Sequence, residues 1–335
     1  MKKTLVIGPS WVGDMVMAQG LFKVIKKGAD RGEISVLAPP WSEPILERMP
    51  EVDRSIEMPI GHGALQLGLR RKIARSIRQY HFDQAIILPG SLKSALIPWL
   101  AGIPRRTGFV GEQRWGLLND IRKLDRERMP MNIQRYISLG LDKDCLISGS
   151  LPRPSLQVDE NALEATLNRF KLDLNRPVVA FCPGAEYGPA KRWPPRYFAE
   201  VARKKISQGW QVWLFGSGND REITEEINAL SEGGCIDLAG RTSLGEAVDL
   251  MSVVKYVVTN DSGLMHIGAA TGSHVIAIYG SSGMEFTPPL TDQCSILSLG
   301  LSCSPCFRRE CPLQHMNCLN QLSPDRVLDC IRQTG

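Results

Sequence analysis

The 335-residue chain is 43% hydrophobic and 22% charged, which excludes disorder, collagen-like repeats and a coiled coil, and its length predicts two domains. The formal charge is a modest +5, but residues 65–128 alone hold 13 Lys/Arg against 5 Asp/Glu, a local +8. Such a segment is either a solvated basic face or a field that attracts a phosphate, a nucleic acid or an acidic lipid.

Thr4–Ile7 reads as a buried strand, followed by a loop Gly8–Gly13 and a helix from Asp14 to Lys27. Ile34–Ala38 reads as a second strand, Leu65–Gln79 as a basic helix, Ala85–Leu88 as a strand and Ser94–Ala101 as a helix. Ser148–Pro154, rich in Gly, Ser and Pro, is the expected linker, which divides the chain into domains 1–155 and 156–322 with a closing helix at 323–335. After a helix at Asp159–Phe170 the rhythm restarts. Strands are expected at Val178–Phe181, Gln211–Phe215, Tyr256–Thr259 and Val275–Tyr279, with helices at Pro195–Ser207, Asn219–Leu230 and Gly263–Ala270. The final Ser323–Arg332 reads as a helix capped by Ser323-Pro324 that can pack back on the first domain. The alternation predicts an α/β protein of two parallel-sheet, Rossmann-like domains, with ligands outside the carboxyl ends of the strands in a cleft between them.

No apolar run reaches the about 18 residues of a membrane span. Met1-Lys2-Lys3 imitates a signal peptide, but Pro9 and Asp14 interrupt the apolar stretch, so a cytoplasmic protein is expected.

Four stretches carry chemistry. Gly8-Pro9-Ser10-Trp11-Val12-Gly13-Asp14 is a strand-to-helix turn that matches neither G-x-G-x-x-G nor a P-loop; Asp14 either caps the helix or serves as a general base. Cys182–Pro194 again joins a strand to a helix, and its Lys191 and Arg192 suit a diphosphate whose charge grows as a bond breaks. Thr259–His266 has anion-binding geometry at a helix start, with His266 structural or facing the cleft. Cys303, Cys306, Cys311 and Cys318, with His315 among them, are compatible with a structural zinc site, with free thiols or with a labile disulfide.

GPSWVGDMVMAQ at 8–19, MPIGHGALQLGLRRK at 58–72, FCPGAEYGPAKRWPP at 181–195 and VTNDSGLMH at 258–266 together resemble the ADP-heptose:lipopolysaccharide heptosyltransferases of glycosyltransferase family 9. The resemblance implies a GT-B fold. It implies inverting, metal-independent transfer of L-glycero-D-manno-heptose from ADP-heptose, a co-substrate, to the first heptose of heptosyl-Kdo-lipid A at the cytoplasmic face of the inner membrane. By family position, Asp14 is the catalytic base and Lys191 grips the donor diphosphate, with Ala185, Glu186 and Arg192 beside it. Asp261, Ser262, Gly263 and His266 form the donor turn, Ser10 and Gly13 surround the reacting centre, and Thr242 lies in an adenine-side loop. Asp220 or Glu222 takes the ribose; where other members carry Thr, this chain has Ala185 and Ser262.

A phosphorylated lipid acceptor accounts for Arg70, Arg71, Lys72, Lys93, Arg105, Arg106 and Arg114. Rival readings are a heptosyltransferase for another core position or glycan, and a Rossmann oxidoreductase or epimerase, against which the missing G-x-G-x-x-G argues. No recognised motif supports nucleic-acid binding.

Overall fold

Runs of β-branched and aliphatic residues form the centre of each sheet in the computed structural model, which describes residues 1–28, 32–61, 63–143, 145, 147 and 149–333. Ser148 of the expected linker and the last two residues of the closing segment lie outside the described residues. The chain divides into two units, Met1–Pro154 and Ser155–Gly335.

The first unit runs β1 (Lys3–Ile7), α1 (Val12–Lys27), β2 (Glu33–Ala38), α2 (Glu43–Leu46), β3 (Arg54–Glu57), α3 (Leu67–Ile77), β4 (Gln84–Ile87), α4 (Leu92–Ala101), β5 (Arg105–Phe109), β6 (Asp120–Arg122) and α5 (Asn132–Gly140). Its six strands are all parallel in the order β3-β2-β1-β4-β5-β6. The second runs α6 (Glu160–Phe170), β7 (Val178–Cys182), α7 (Pro195–Ser207), β8 (Gln211–Leu214), α8 (Arg221–Leu230), β9 (Ile236–Asp237), α9 (Leu244–Met251), β10 (Tyr256–Asn260), α10 (Gly263–Thr271), β11 (His274–Ile278), β12 (Cys294–Leu297), α11 (Asn317–Asn320) and α12 (Pro324–Gln333). Its order, β12-β11-β10-β7-β8-β9, repeats the first with the strands renumbered.

This is the doubly wound order, in which the chain leaves the central strand in opposite directions and opens a crevice at the strands' carboxyl ends. The switch point lies between β1 and β4 in the first unit and between β7 and β10 in the second. The loops leaving β1, β7 and β10 are three of the four stretches picked out in the sequence.

Around the second sheet, Phe198, Ala199 and Val201 of α7 pack on Val179, Phe181 and Leu214. The closing helix belongs here too. Val327, Leu328 and Ile331 of α12 are buried in that same core, so the helix packs its apolar face within the second unit.

In the first unit α5, absent from the sequence reading, lies along α1. Gly20 admits the crossing, because a Cβ there would stand 2.8 Å from Ile133 Cδ1 and 2.9 Å from Ile133 Cγ1. Gly20→Val should therefore overpack the α1–α5 contact and cost about 1–3 kcal/mol, seen as a lower urea midpoint at unchanged slope.

Candidate functional site

The second unit's site is assembled across its switch point. β10 ends in Asn260, a fully buried amide whose Oδ1 accepts from the Trp193 backbone N–H at 3.0 Å and whose Nδ2 donates to the Pro183 carbonyl at 2.6 Å. The loop after β7 is thereby fastened at both ends to the end of β10. Trp193 anchors it from below, buried against Phe198 and donating its indole N–H to Leu322 O at 2.9 Å.

So fixed, Lys191 Nζ meets Asp261 Oδ2 at 2.5 Å, and the ammonium also lies 5.2 Å from the centre of the Tyr187 ring. Thr287 donates to the other Asp261 oxygen at 3.4 Å. Asp261 is 6% exposed, so it places Lys191 rather than floating in solvent. Arg192 donates to Ala185 O at 3.3 Å, while its buried Nε–H has no acceptor among the described residues. An orphaned donor of that kind is costly unless a ligand supplies the acceptor.

Ser262 and Gly263 start α10, whose first backbone N–H groups and positive dipole end face the same loop system. Lys191, Arg192 and Asp261 sum to one positive charge, to which the helix end adds, an arrangement that can hold an anion. Ala185 is buried and contributes its carbonyl; Glu186 is exposed.

His266, in the second turn of α10, is buried. Burial pushes its imidazole down to about 4; nearby Asp261 raises it and Lys191 lowers it. It is a neutral group at pH 7. Because its folded value lies below the ordinary 6.5, the unfolded chain binds the extra proton between those two values. Stability should therefore be full above about pH 6.5 and fall as the pH drops towards 4. Replacing His266 by Gln should flatten that part of a denaturant-midpoint-versus-pH curve.

In the loop after β9, Gly240 N–H donates to Gly216 O at 2.9 Å, and Gly240, at φ +65°, lies so close to Gly218 that a Cβ would sit 2.9 Å from its Cα. Thr242 follows that contact and donates to Leu238 O at 3.4 Å. Of the two ribose candidates, Asp220 is buried and its Oδ2 accepts from both the N–H and the hydroxyl of Ser217 at 2.8 Å, whereas Glu222 is exposed at the head of α8.

In the first unit Gly13 is buried in the first turn of α1 and Asp14 sits next to it, half-buried. Asn132 Nδ2 donates to Asp14 Oδ1 at 2.6 Å. Ser10 borders a concavity of about 330 Å³ shared with Gly61, Arg70, Ser91, Lys93 and Glu112.

The basic segment is less open than its sequence suggests. Arg70 is 4% exposed and its guanidinium donates to the carbonyls of Leu65, Lys93 and Ala64. Arg114, 2% exposed, donates to Phe109, Pro89 and Ser91 carbonyls. Arg106 holds Leu117 O and Ile103 O, and Arg105 pairs with Asp120 at 2.8 Å. Each of these four thus gives hydrogen bonds to backbone carbonyls or to Asp120, while Arg70 also borders the concavity beside Ser10. Arg71 and Lys72 remain exposed on α3 and Lys93 half-exposed on α4.

Cys303, Cys306, Cys311 and Cys318 line one small void, of about 20 Å³, together with His315. The sequence cluster is thus a spatial cluster, and none of the four is in a disulfide. Among the described residues no group of three or more His, Cys, Asp or Glu is placed to hold a metal ion, so the zinc reading gains no support from the geometry.

The sequence model of Glycosyltransferase family 9 (heptosyltransferase) matches residues 70–317. Lipopolysaccharide heptosyltransferase 2 of Escherichia coli (strain K12) is 46% identical, over 98% of this chain and 97% of its own. Lipooligosaccharide heptosyltransferase 2 of Haemophilus influenzae is 47% identical over 88% of both. Among solved structures, E. coli ADP-heptose lps heptosyltransferase II superposes with a TM-score of 0.90 at 43% identity, covering 99% of this chain and 98% of that one. An E. coli heptosyltransferase solved with ADP shares the fold, with a TM-score of 0.73 at 17% identity and full coverage of both chains.

Proposed function

This chain belongs to glycosyltransferase family 9, the heptosyltransferases, and is a glycosyltransferase of GT-B type; on that premise we propose that it moves L-glycero-D-manno-heptose from ADP-heptose to the first heptose of heptosyl-Kdo-lipid A in the inner core of lipopolysaccharide. The second unit binds the donor and the first brings the base and the acceptor. The observation that carries the reading is that Lys191 is paired with Asp261, the residue before the α10 cap, next to an Arg192 whose buried N–H has no acceptor among the described residues.

The reaction is a single displacement with inversion. Asp14 takes the proton of the acceptor hydroxyl, and that oxygen attacks the anomeric carbon from the side opposite the diphosphate. The bond to ADP breaks as the new glycosidic bond forms, so a β-linked donor gives an α-linked product. Lys191, Arg192 and the α10 N–H groups take up the charge that collects on the leaving diphosphate, work for which no metal is required. Asp261 holds Lys191 in place and keeps the site from becoming so positive that ADP cannot leave. Ser262, Gly263, Ala185 and Glu186 shape the same pocket, Thr242 borders the adenine, and Glu222, exposed where Asp220 is occupied, reaches the ribose.

Removal of the base is the direct test. General-base catalysis contributes roughly 10²–10⁴-fold, so Asp14→Ala should lower kcat by at least about a hundredfold while the affinity for ADP stays within a few-fold. A variant retaining more than about a tenth of wild-type kcat would refute the assignment. Product linkage read by NMR after transfer to defined truncated lipopolysaccharides separates this acceptor from another core position.

We also propose that the first unit works against the cytoplasmic face of the inner membrane. No helix among the described residues is long and apolar enough to cross a bilayer, so the contact is peripheral. Within the basic segment, Trp99 and Trp115 are 46% and 58% exposed, and Leu65, Leu67 and Leu92 are exposed as well. Aromatic side chains with lysine and arginine nearby suit a headgroup interface carrying anionic lipid. Each basic residue near such a surface contributes about 1 kcal/mol. Replacing Arg71, Lys72 and Arg75 together by Ala should therefore weaken binding to phosphatidylglycerol vesicles on the order of a hundredfold, with little change for vesicles of phosphatidylcholine alone.

A further inference from the structure

Asp14 is not left to find its own orientation. Asn132, the first residue of α5, reaches across from the neighbouring helix and donates to Asp14 Oδ1 at 2.6 Å. The same amide nitrogen lies 3.0 Å from the hydroxyl oxygen of Tyr136, one turn further along α5, and Asp14 is close enough to that phenol to raise it. The Asn132 amide thus stands between the carboxylate and the tyrosine hydroxyl.

Tyr136 is buried, and burial together with the Asp14 charge pushes its phenol well above its ordinary value. It therefore stays protonated and remains a donor throughout the working range. The other ionisable group at this end of α5, Arg135, directs its guanidinium to the carbonyls of Met129 at 3.0 Å and Pro130 at 3.2 Å. On α1, Asp14 is the acidic residue of the first turn.

This arrangement depends on how α5 sits. Asn132 and Tyr136 are four residues apart and share a helix face. Ile133 and Ile137, next to them, fill the notch that Gly20 leaves on α1. The helix crossing and the polar arrangement are therefore built by the same turn of α5.

We propose that Asn132 and Tyr136 are positioning residues that hold the Asp14 carboxylate in a single orientation for proton transfer. This rests on the reading of Asp14 as the general base. A carboxylate with a free rotamer presents the wrong lone pair for part of the time, and misplacement by about 1 Å costs up to about a hundredfold in rate. A neutral donor such as the Asn132 amide also favours the ionised carboxylate. The enzyme thus keeps its base both charged and available.

The test measures kcat/KM for the lipid acceptor against pH, whose acid limb reports the essential base in the free enzyme. The variants are Asn132→Ala, Tyr136→Phe, Asp14→Ala and the double variant Asn132→Ala/Asp14→Ala. Tyr136→Phe keeps the shape of the buried ring and guards against simple misfolding. Asn132→Ala and Tyr136→Phe should each lower kcat/KM about tenfold at pH 7 and move the acid limb up by about one pH unit, the equivalent of one lost hydrogen bond to a charged group. The KM for ADP-heptose should stay within twofold, and Asn132→Ala should have no further effect once Asp14 is gone.

An inactive Asp14→Ala alongside Asn132 and Tyr136 variants with the wild-type pH profile would overturn the proposal and leave the base assignment standing. Loss of rate with an unmoved acid limb would overturn it too, by marking the pair as structural. An active Asp14→Ala would remove the base assignment and this proposal with it.

Discussion

In the proposed reading a loop presents a lysine and an arginine to a diphosphate, which requires it to be rigid without being buried, and Asn260 solves this from beneath. Its side chain is fully enclosed, so both ends of the amide need partners, and they find them in the carbonyl and the N–H that open and close the Pro183–Trp193 loop. One amide thus ties β7 to β10 exactly where the sheet changes winding direction, and the 2.5 Å pairing of Lys191 with Asp261 follows from it. An apolar replacement of the same volume would leave two buried backbone groups unpaired and release the loop that carries the cations.

What could be read from the chain beforehand follows burial. The central strands β1, β2, β4, β7, β8, β10 and β11 are covered on both faces and stand out as aliphatic runs. Those that went unread include all four sheet edges, β3 (RSIE), β6 (DIR), β9 (ID) and β12 (CSIL), where one flank has no partner strand and polar side chains cost little. The site loops were legible because glycine, proline and charge coincide just after a strand. Asn132 and Tyr136 were not. Residues 132–140 carry a helical pattern of Ile133, Tyr136, Ile137 and Leu139, but nothing local says that this helix ends 2.6 Å from a carboxylate 118 positions earlier.

Charge counting shows the same limit from the other direction. The local +8 is real as a sum, yet Arg70 and Arg114 are internal struts, their guanidinium N–H groups donating to the loop carbonyls of Leu65 and Pro89 and to those of Lys93 in α4 and Phe109 in β5. Burial lowers both from the ordinary arginine value, though not enough to discharge them at any working pH. Near Asp120, burial would raise the carboxyl, but Arg122, Arg105 and Thr107 more than reverse that and hold it far below the usual range. A field counted from sequence treats these arginines like Arg71 and Lys72; the fold spends some on its own backbone and leaves others exposed.

The two units share a strand order, and each puts an aspartate just beyond the carboxyl end of a switch-point strand, Asp14 after β1 and Asp261 after β10. Their surroundings give them opposite chemistry. Asp261 lies against an ammonium at 2.5 Å, so its charge is matched and it acts through the lysine it holds. Asp14 receives the uncharged amide N–H of Asn132 at 2.6 Å. A proton acceptor needs the second environment and an anion clamp needs the first. In the proposed mechanism the division of labour between base and leaving-group site is set less by the repeated scaffold than by which neighbour, cationic or neutral, the fold brings to each carboxylate.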